Sequence, residues 1–315
     1  MVANINKASW AVVSIIGLVG FLVWSPPFLA AGERPSSKHV LVRCDDVGMS
    51  HTVNLAVREL LATGIPFSTS VMIACPWYLE AVEILKANPQ VGVGIHLTLN
   101  SEWQHYKWGP VAGASAVPSL VDGNGHFHAS EVDFKAADVN LDEVRLELRA
   151  QIDRAFAAGL RVDYLDYHML TAVSTPGLRA IVEELAAEYG LGLSRYFGEA
   201  SVSIWADAPE DKLSSLLTHV RSIQPGLSLL VIHLGMNTPE MSAMVDLNNE
   251  EDPYRVAIHR QAELDAITSQ AFRQAVADSG IEFVTYRDIV SALGLEAMHP
   301  PADLSSYSTG FAEDD

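Results

Sequence analysis

The stretch KHVLVRCDDVGMS, residues 38–50, decides how this chain is read. Residues 39–44 form a short run rich in Val and Leu, the pattern of a buried strand, and the run breaks at Asp45, Asp46, Val47 and Gly48. Two adjacent carboxylates at a strand terminus repel each other and are costly to desolvate. Such a pair persists where a cation or separate protonation roles relieve the repulsion. Taken alone, the dipeptide also fits a plain turn in which one carboxylate caps the following helix.

Outward from this junction, strand-like and helical patterns alternate. Residues 52–63 have helical spacing, 67–74 read as a strand, 77–88 as a helix and 91–97 as a third strand, which makes a βαβαβ unit. Further on, 141–158, 175–189, about 209–223 and 256–278 read as helices, and 162–167, 191–195, 227–233 and 281–285 as strands. Seven strands with intervening helices predict a single parallel α/β domain, barrel or open sheet. Two long connections, 100–137 and 235–255, break the rhythm and are expected to cap a site on the face where the strands end.

Strand ends are also where polar residues concentrate. Asp45 and Asp46 end the first strand, His96 the third, Asp166 and His168 the fourth and His233 a late one. In a parallel architecture all strand C-termini share one face, so residues distant in sequence converge there. A lone His on an apolar strand is usually a satisfied core residue, but three of them in register with an acidic pair form a constellation. One carboxylate and two imidazoles suit a divalent metal with positions left open, which makes Asp46, His96 and His168 the candidate ligands. Asp45 is then placed to act as a base and His233 to protonate a leaving group. Asp166 either orients an imidazole from behind or ligates directly.

Composition bounds the rest. The chain has 315 residues, 49% of them apolar, and a net charge of −19. That is ample for a sizeable core, and the charge repels nucleic acid and anionic membrane surfaces. Residues 1–32 differ in kind: Lys7 precedes an uncharged apolar run at 10–24, and small residues follow at Ala30, Ala31 and Gly32. This is the pattern of an export signal peptide, with an uncleaved membrane anchor as the alternative, because a span needs roughly 20 apolar residues. The expected organisation is 1–32 signal peptide or anchor, 33–298 one catalytic domain and 299–315 an acidic mobile tail. Cys44 and Cys75 both end strand-like runs and either pair or stay as buried thiols.

With these residues in place, the chain resembles the YdjC-like (ChbG/HpnK) carbohydrate deacetylases, relatives of the polysaccharide deacetylases. The resemblance is carried by CDDVGMS at 44–50, VGVGIHLTL at 91–99, LDYHM at 165–169 and VIHLG at 231–235, with SLVDGNGHF at 119–127 in support. It implies a distorted (β/α) barrel of about seven parallel strands that hydrolyses the acetamido group of a sugar. It also implies Asp45 as base, His233 as acid, and Asp46, His96 and His168 around one divalent ion, zinc first, with magnesium, manganese or cobalt as alternatives. His-Leu-Gly stands at 233–235 where the family has His-Pro-Gly, and Met169 and Leu170 stand where many members carry a second His.

The expected partner is an N-acetylated carbohydrate or glycolipid, with Trp103, Tyr106 and Trp108 either stacking on a sugar ring or pinning their loop to the barrel. Membrane contact is expected only through an uncleaved N-terminal segment, and export to the periplasm or beyond if it is cleaved. Two other functions fit the same residues: an exported glycan-binding protein with a metal pocket but no turnover, and a metal-dependent phosphoesterase. The second lacks a Gly-rich phosphate loop, and Asp45 weighs against the first, since binding needs ligands but hydrolysis also needs a base.

Overall fold

The structure, a computed structural model, describes residues 37–246, 248–249 and 252–301. The N-terminal segment at 1–32 and most of the acidic tail lie outside the described residues. Among those described, no helix is long and apolar enough to cross a membrane.

The strands are β1 (Lys38–Val47), β2 (Ser68–Val71), β3 (Gly92–Leu97), β4 (Tyr164–Tyr167), β5 (Gly192–Leu193), β6 (Ala200–Ser203), β7 (Gly226–Ile232) and β8 (Ile281–Val284). Seven of them run in the order β5-β4-β3-β2-β1-β7-β6, with β8 paired to β1. Every pairing is parallel. β7 flanks β1 from Lys38 to Cys44, while the other side of β1 takes β8 at its start and β2 at its end. Among the described residues no ladder joins β5 to β6, so the sheet curls into a distorted, incompletely closed barrel.

The helices are α1 (His51–Ala62), α2 (Tyr78–Ala87), α3 (Glu131–Ala136), α4 (Leu141–Ala157), α5 (Pro176–Tyr189), α6 (Lys212–Ser222), α7 (Pro239–Ser242), α8 (Val256–Thr268), α9 (Gln270–Asp278) and α10 (Tyr286–Leu293). Their starts follow ordinary capping chemistry. The Ser50 hydroxyl accepts from Val53 N, Asn140 from Asp142 N and Thr175 from Leu178 N. The single helix expected over 256–278 is two, because Ser269 takes an extended conformation and its hydroxyl caps Phe272 N. α10 was not expected from the apolar pattern, although its capping box, Thr285 with Asp288, is written in the sequence. β6 was missed because it is short, polar and partly exposed.

β1 shows how the fold builds a site. Val40, Val42 and Cys44 face outward into the main core between sheet and helices, whereas Leu41 belongs to a separate cluster inside the barrel. That inner cluster holds Tyr164 and Tyr286 with ring centroids 4.0 Å apart. Gly94 makes room for it, since a Cβ there would meet the Tyr164 ring at 2.3 Å. The barrel is therefore plugged at its base, and the inward positions that follow Leu41 on β1 are Arg43 and Asp45. Cys44 and Cys75 are both buried and free, so the pairing option is not taken.

Gly48 fixes the turn after β1: its φ is +86°, and a Cβ would lie 2.9 Å from Tyr78 Cα. Gly64, with φ +74°, has open space around it. Thermal unfolding should separate the two. Gly64→Ala should cost about 1 kcal/mol of backbone strain. Gly48→Ala should cost about 2–3 kcal/mol, because the neighbouring backbone must also shift. Equal losses would show that the contact with Tyr78 does not constrain the turn.

Candidate metal centre

Strict alternation along β1 would send Asp45 into the barrel and Asp46 outward with Cys44. A bulge prevents this. Cys44 pairs with Thr69 and Val47 with Val71, so β1 inserts an extra residue against β2. Asp46 absorbs it with φ 62°, a left-handed conformation that Asp tolerates better than most residues. Both carboxylates thereby reach the same cavity.

Asp46, His96 and His168 converge there. His96 Nε2 lies 3.4 Å and His168 Nδ1 3.3 Å from Asp46 Oδ1, and the two nitrogens are 3.3 Å apart. Asp46 Oδ1 is buried and accepts no hydrogen bond. Four-coordinate zinc, with bonds of about 2.0–2.1 Å, requires ligand atoms about 3.3–3.4 Å apart, so the donor set fits a cation of that kind. Each imidazole is also held from behind. His96 Nδ1 is 2.9 Å from Asp166 Oδ2, and His168 Nε2 is 3.0 Å from Glu102 Oε2. In the neutral rings these contacts favour the proton on the outer nitrogens, so that once the second proton is lost the inner ones face Asp46 as lone-pair donors.

His168 reaches this position through a strained turn, with Met169 and Leu170 at φ 48° and 59°. Asp166 thus stands behind His96, while Glu102 was not anticipated, although LTLNSEW at 97–103 places it just past the end of β3. Asp45, His96 and Asp166 form a second grouping within ligand reach, but Arg43 fills it. The Arg43 guanidinium donates to both oxygens of Asp45 at 2.7 Å and lies 2.9 Å from Asp166 Oδ1. Arg43 shares the inward face of β1 with Asp45, two residues on, a signal that alternation carries.

Burial works against charge on these groups, and their neighbours overturn it. Burial alone would raise the Asp46 carboxyl, yet Arg260 and the two imidazoles hold it well below the usual carboxylate range. Asp166 is likewise lowered against burial by Arg43 and His96. Burial opposes protonation of His96 and His168, but Asp45 and Asp166 bring the first up to about 9, and Glu102 and Asp46 the second to about 10.

The site opens into a cavity of about 630 Å³. His233 lines it, 24% exposed, with Nε2 4.0 Å from Asp45 Oδ2. Its backbone N–H donates to Glu263 at 2.7 Å, and Glu263 is itself paired with the buried Lys212. Of the two roles open to the loop aromatics, pinning is the one Trp108 and Tyr106 take. Trp108 is buried, donating to Asn100 O at 2.9 Å with its ring edge-on to His168, and Tyr106 donates to Met49 O. Both pin the loop. Trp103 lines the cavity but is only 2% exposed, while Trp205, with its ring 5.1 Å from His233, lines it as a partly buried residue. Trp205 follows β6, the strand the sequence pattern missed.

Fold and donor set together define a parallel α/β barrel protein with a candidate divalent-metal pocket at its strand C-termini. The family model described as YdjC-like protein matches residues 39–278, and the chain belongs to that family. Among curated relatives, a carbohydrate deacetylase of Brevibacillus brevis is 29% identical over 269 residues, covering 79% of this chain and 99% of that protein. Another, from Thermoanaerobacter pseudethanolicus, is 31% identical over 154 residues, 49% of this chain and 59% of that protein. A crystal structure from Enterococcus faecalis, described as a cellobiose-phosphate cleavage protein, superposes with TM-score 0.67 at 24% identity, covering 81% of this chain and 99% of that one. That last likeness speaks to the fold.

Raised imidazole pKa values make cation binding pH-dependent. Below about 9 and 10 the two rings carry protons that ligation must expel. Apparent zinc affinity, measured against a competing chelator, should rise by about one to two decades per pH unit between about pH 6 and 8. An affinity flat across that window would contradict ligation by these two histidines.

Proposed function

We propose that this protein is a metal-dependent hydrolase that removes the acetyl group from an N-acetylated sugar, releasing acetate and a free amine. The observation that carries the reading is the meeting, in one cavity, of the Asp46, His96 and His168 donor set with Asp45 and His233. The names of the relatives, which span the barrel domain, support the same chemistry. Zinc is the first choice of cation, with magnesium, manganese and cobalt open. Bound to the triad, it would supply Lewis acidity toward the acetyl carbonyl and toward water.

The chain's own residues then manage one proton. Asp45, fixed in orientation by Arg43, accepts the proton of the attacking water as the new C–O bond forms. Burial holds His233 below the usual histidine range, so its ring is neutral at neutral pH. The proton it delivers is therefore the one Asp45 has taken, passed across a gap of 4.0 Å. His233 gives it to the departing nitrogen as the C–N bond breaks, which prevents return of the intermediate to water and amide. Trp205, beside His233, offers an apolar face for the sugar ring. Residues 1–32 extend the proposal to an exported enzyme, periplasmic or secreted.

Acetate release from a panel of N-acetylated sugars, with and without chelator, tests this reading. Asp45→Asn should keep stoichiometric metal and lose roughly 10²–10⁴-fold in turnover; undiminished turnover would remove Asp45 as base. The relay also fixes a sign. Because His233 begins neutral, kcat/KM should not fall as pH rises through the ordinary histidine range. A descending limb there that disappears in His233→Asn would contradict the relay.

A further inference from the structure

Arg260, on α8, is 214 residues from Asp46 in sequence and donates from Nη2 to Asp46 Oδ2 at 2.6 Å. The side chain is fully inside the protein, its guanidinium 5.7 Å from the Trp103 ring and 5.6 Å from the Trp205 ring. Its Nε and Nη1 are buried and make no hydrogen bond. α8 approaches this closely because residue 235 is Gly: a Cβ there would lie 3.1 Å from Arg260 Cβ and 3.2 Å from its Cδ. A buried cation with unsatisfied donors is costly, and an apolar side chain between two indoles would pack well. Retaining Arg here therefore needs a reason beyond packing.

The reason lies in which oxygen Arg260 takes. It occupies Oδ2 and leaves Oδ1 directed at His96 and His168. We propose that Arg260 is a positioning residue for the metal centre: it confines Asp46 to one ligating oxygen and weakens that oxygen as a donor. The centre then holds its cation less tightly than its ligands allow and keeps coordination positions open for substrate. This rests on the metal reading above. Without Arg260, Asp46 is free to turn and offer both oxygens, and a neighbouring positive charge no longer repels the incoming dication.

The test needs no substrate. Zinc affinity by chelator competition and the visible spectrum of the cobalt(II) protein are compared for wild type, Arg260→Met and Arg260→Lys. Arg260→Met should bind zinc about 3–30-fold tighter, with weaker cobalt d–d bands, the signature of a higher coordination number. Arg260→Lys, which restores the charge, should return zinc affinity to within about threefold of wild type. Weaker zinc binding in both variants, as lost packing would produce, overturns the proposal, and so does an unchanged cobalt spectrum. If Arg260→Met does not fold, Arg260→Gln decides, since it keeps a polar side chain there and removes the charge beside Asp46. Tighter zinc in that variant supports the role, and weaker or unchanged zinc overturns it. A wild-type protein that binds no zinc would instead overturn the metal reading itself.

Discussion

The constraint on which this structure depends is the burial of the Asp45, Asp46, Asp166 and Glu102 carboxylates within one small volume. Carboxylates out of water must be paired, and removing a partner from such a pair costs on the order of 3–5 kcal/mol. The pairing here is nearly complete. Arg43 bridges Asp45 and Asp166, Arg260 takes one oxygen of Asp46, and His96 and His168 connect the remainder. One acceptor, Asp46 Oδ1, is left over in the middle, and under the proposed reading a cation would meet that residual need.

Much of the architecture serves this arrangement. Parallel strands bring His96, His168 and the Asp pair to one end of the barrel, while Tyr164 and Tyr286 seal the interior below and keep the charges from the open base. The bulge in β1 and the left-handed residues at 46, 169 and 170 are backbone strain concentrated at the site, where ligand direction matters most. His233 is steadied through its backbone by Glu263 and the fully buried Lys212, which also gathers the carbonyls of Ile204 and Trp205. His233 and Trp205 beside it are thus held through their backbones by one buried ion pair.

The alternation of apolar runs with helical spacing made the parallel α/β class legible, and strand-terminal polar residues pointed to side chains that the fold does bring into one cavity: Asp45, Asp46, His96, His168 and His233. Other features were hidden for physical reasons. Alternation alone would have turned Asp46 away from its partners, because a bulge leaves no mark in composition. Arg260 acts across the whole chain and is visible only once α8 is docked. For Trp103 and Trp108 the sequence leaves sugar stacking and loop anchoring equally open, and burial decides for anchoring, since a long connection over a barrel needs apolar anchors of its own. Trp205 went unnoticed because the short, polar β6 that carries it has no strong strand signal.

The central claim is that Asp46, His96 and His168 hold one divalent cation with Asp45 outside its coordination sphere. Anomalous diffraction at the zinc edge, from crystals grown with zinc, tests it most directly. The account predicts a single ion in this cavity about 2.0–2.2 Å from Asp46 Oδ1, His96 Nε2 and His168 Nδ1, with the Arg43 to Asp45 pairing intact. An ion seated instead on Asp45 and Asp166, with Arg43 displaced, or a cavity without anomalous signal at saturating zinc, would contradict it.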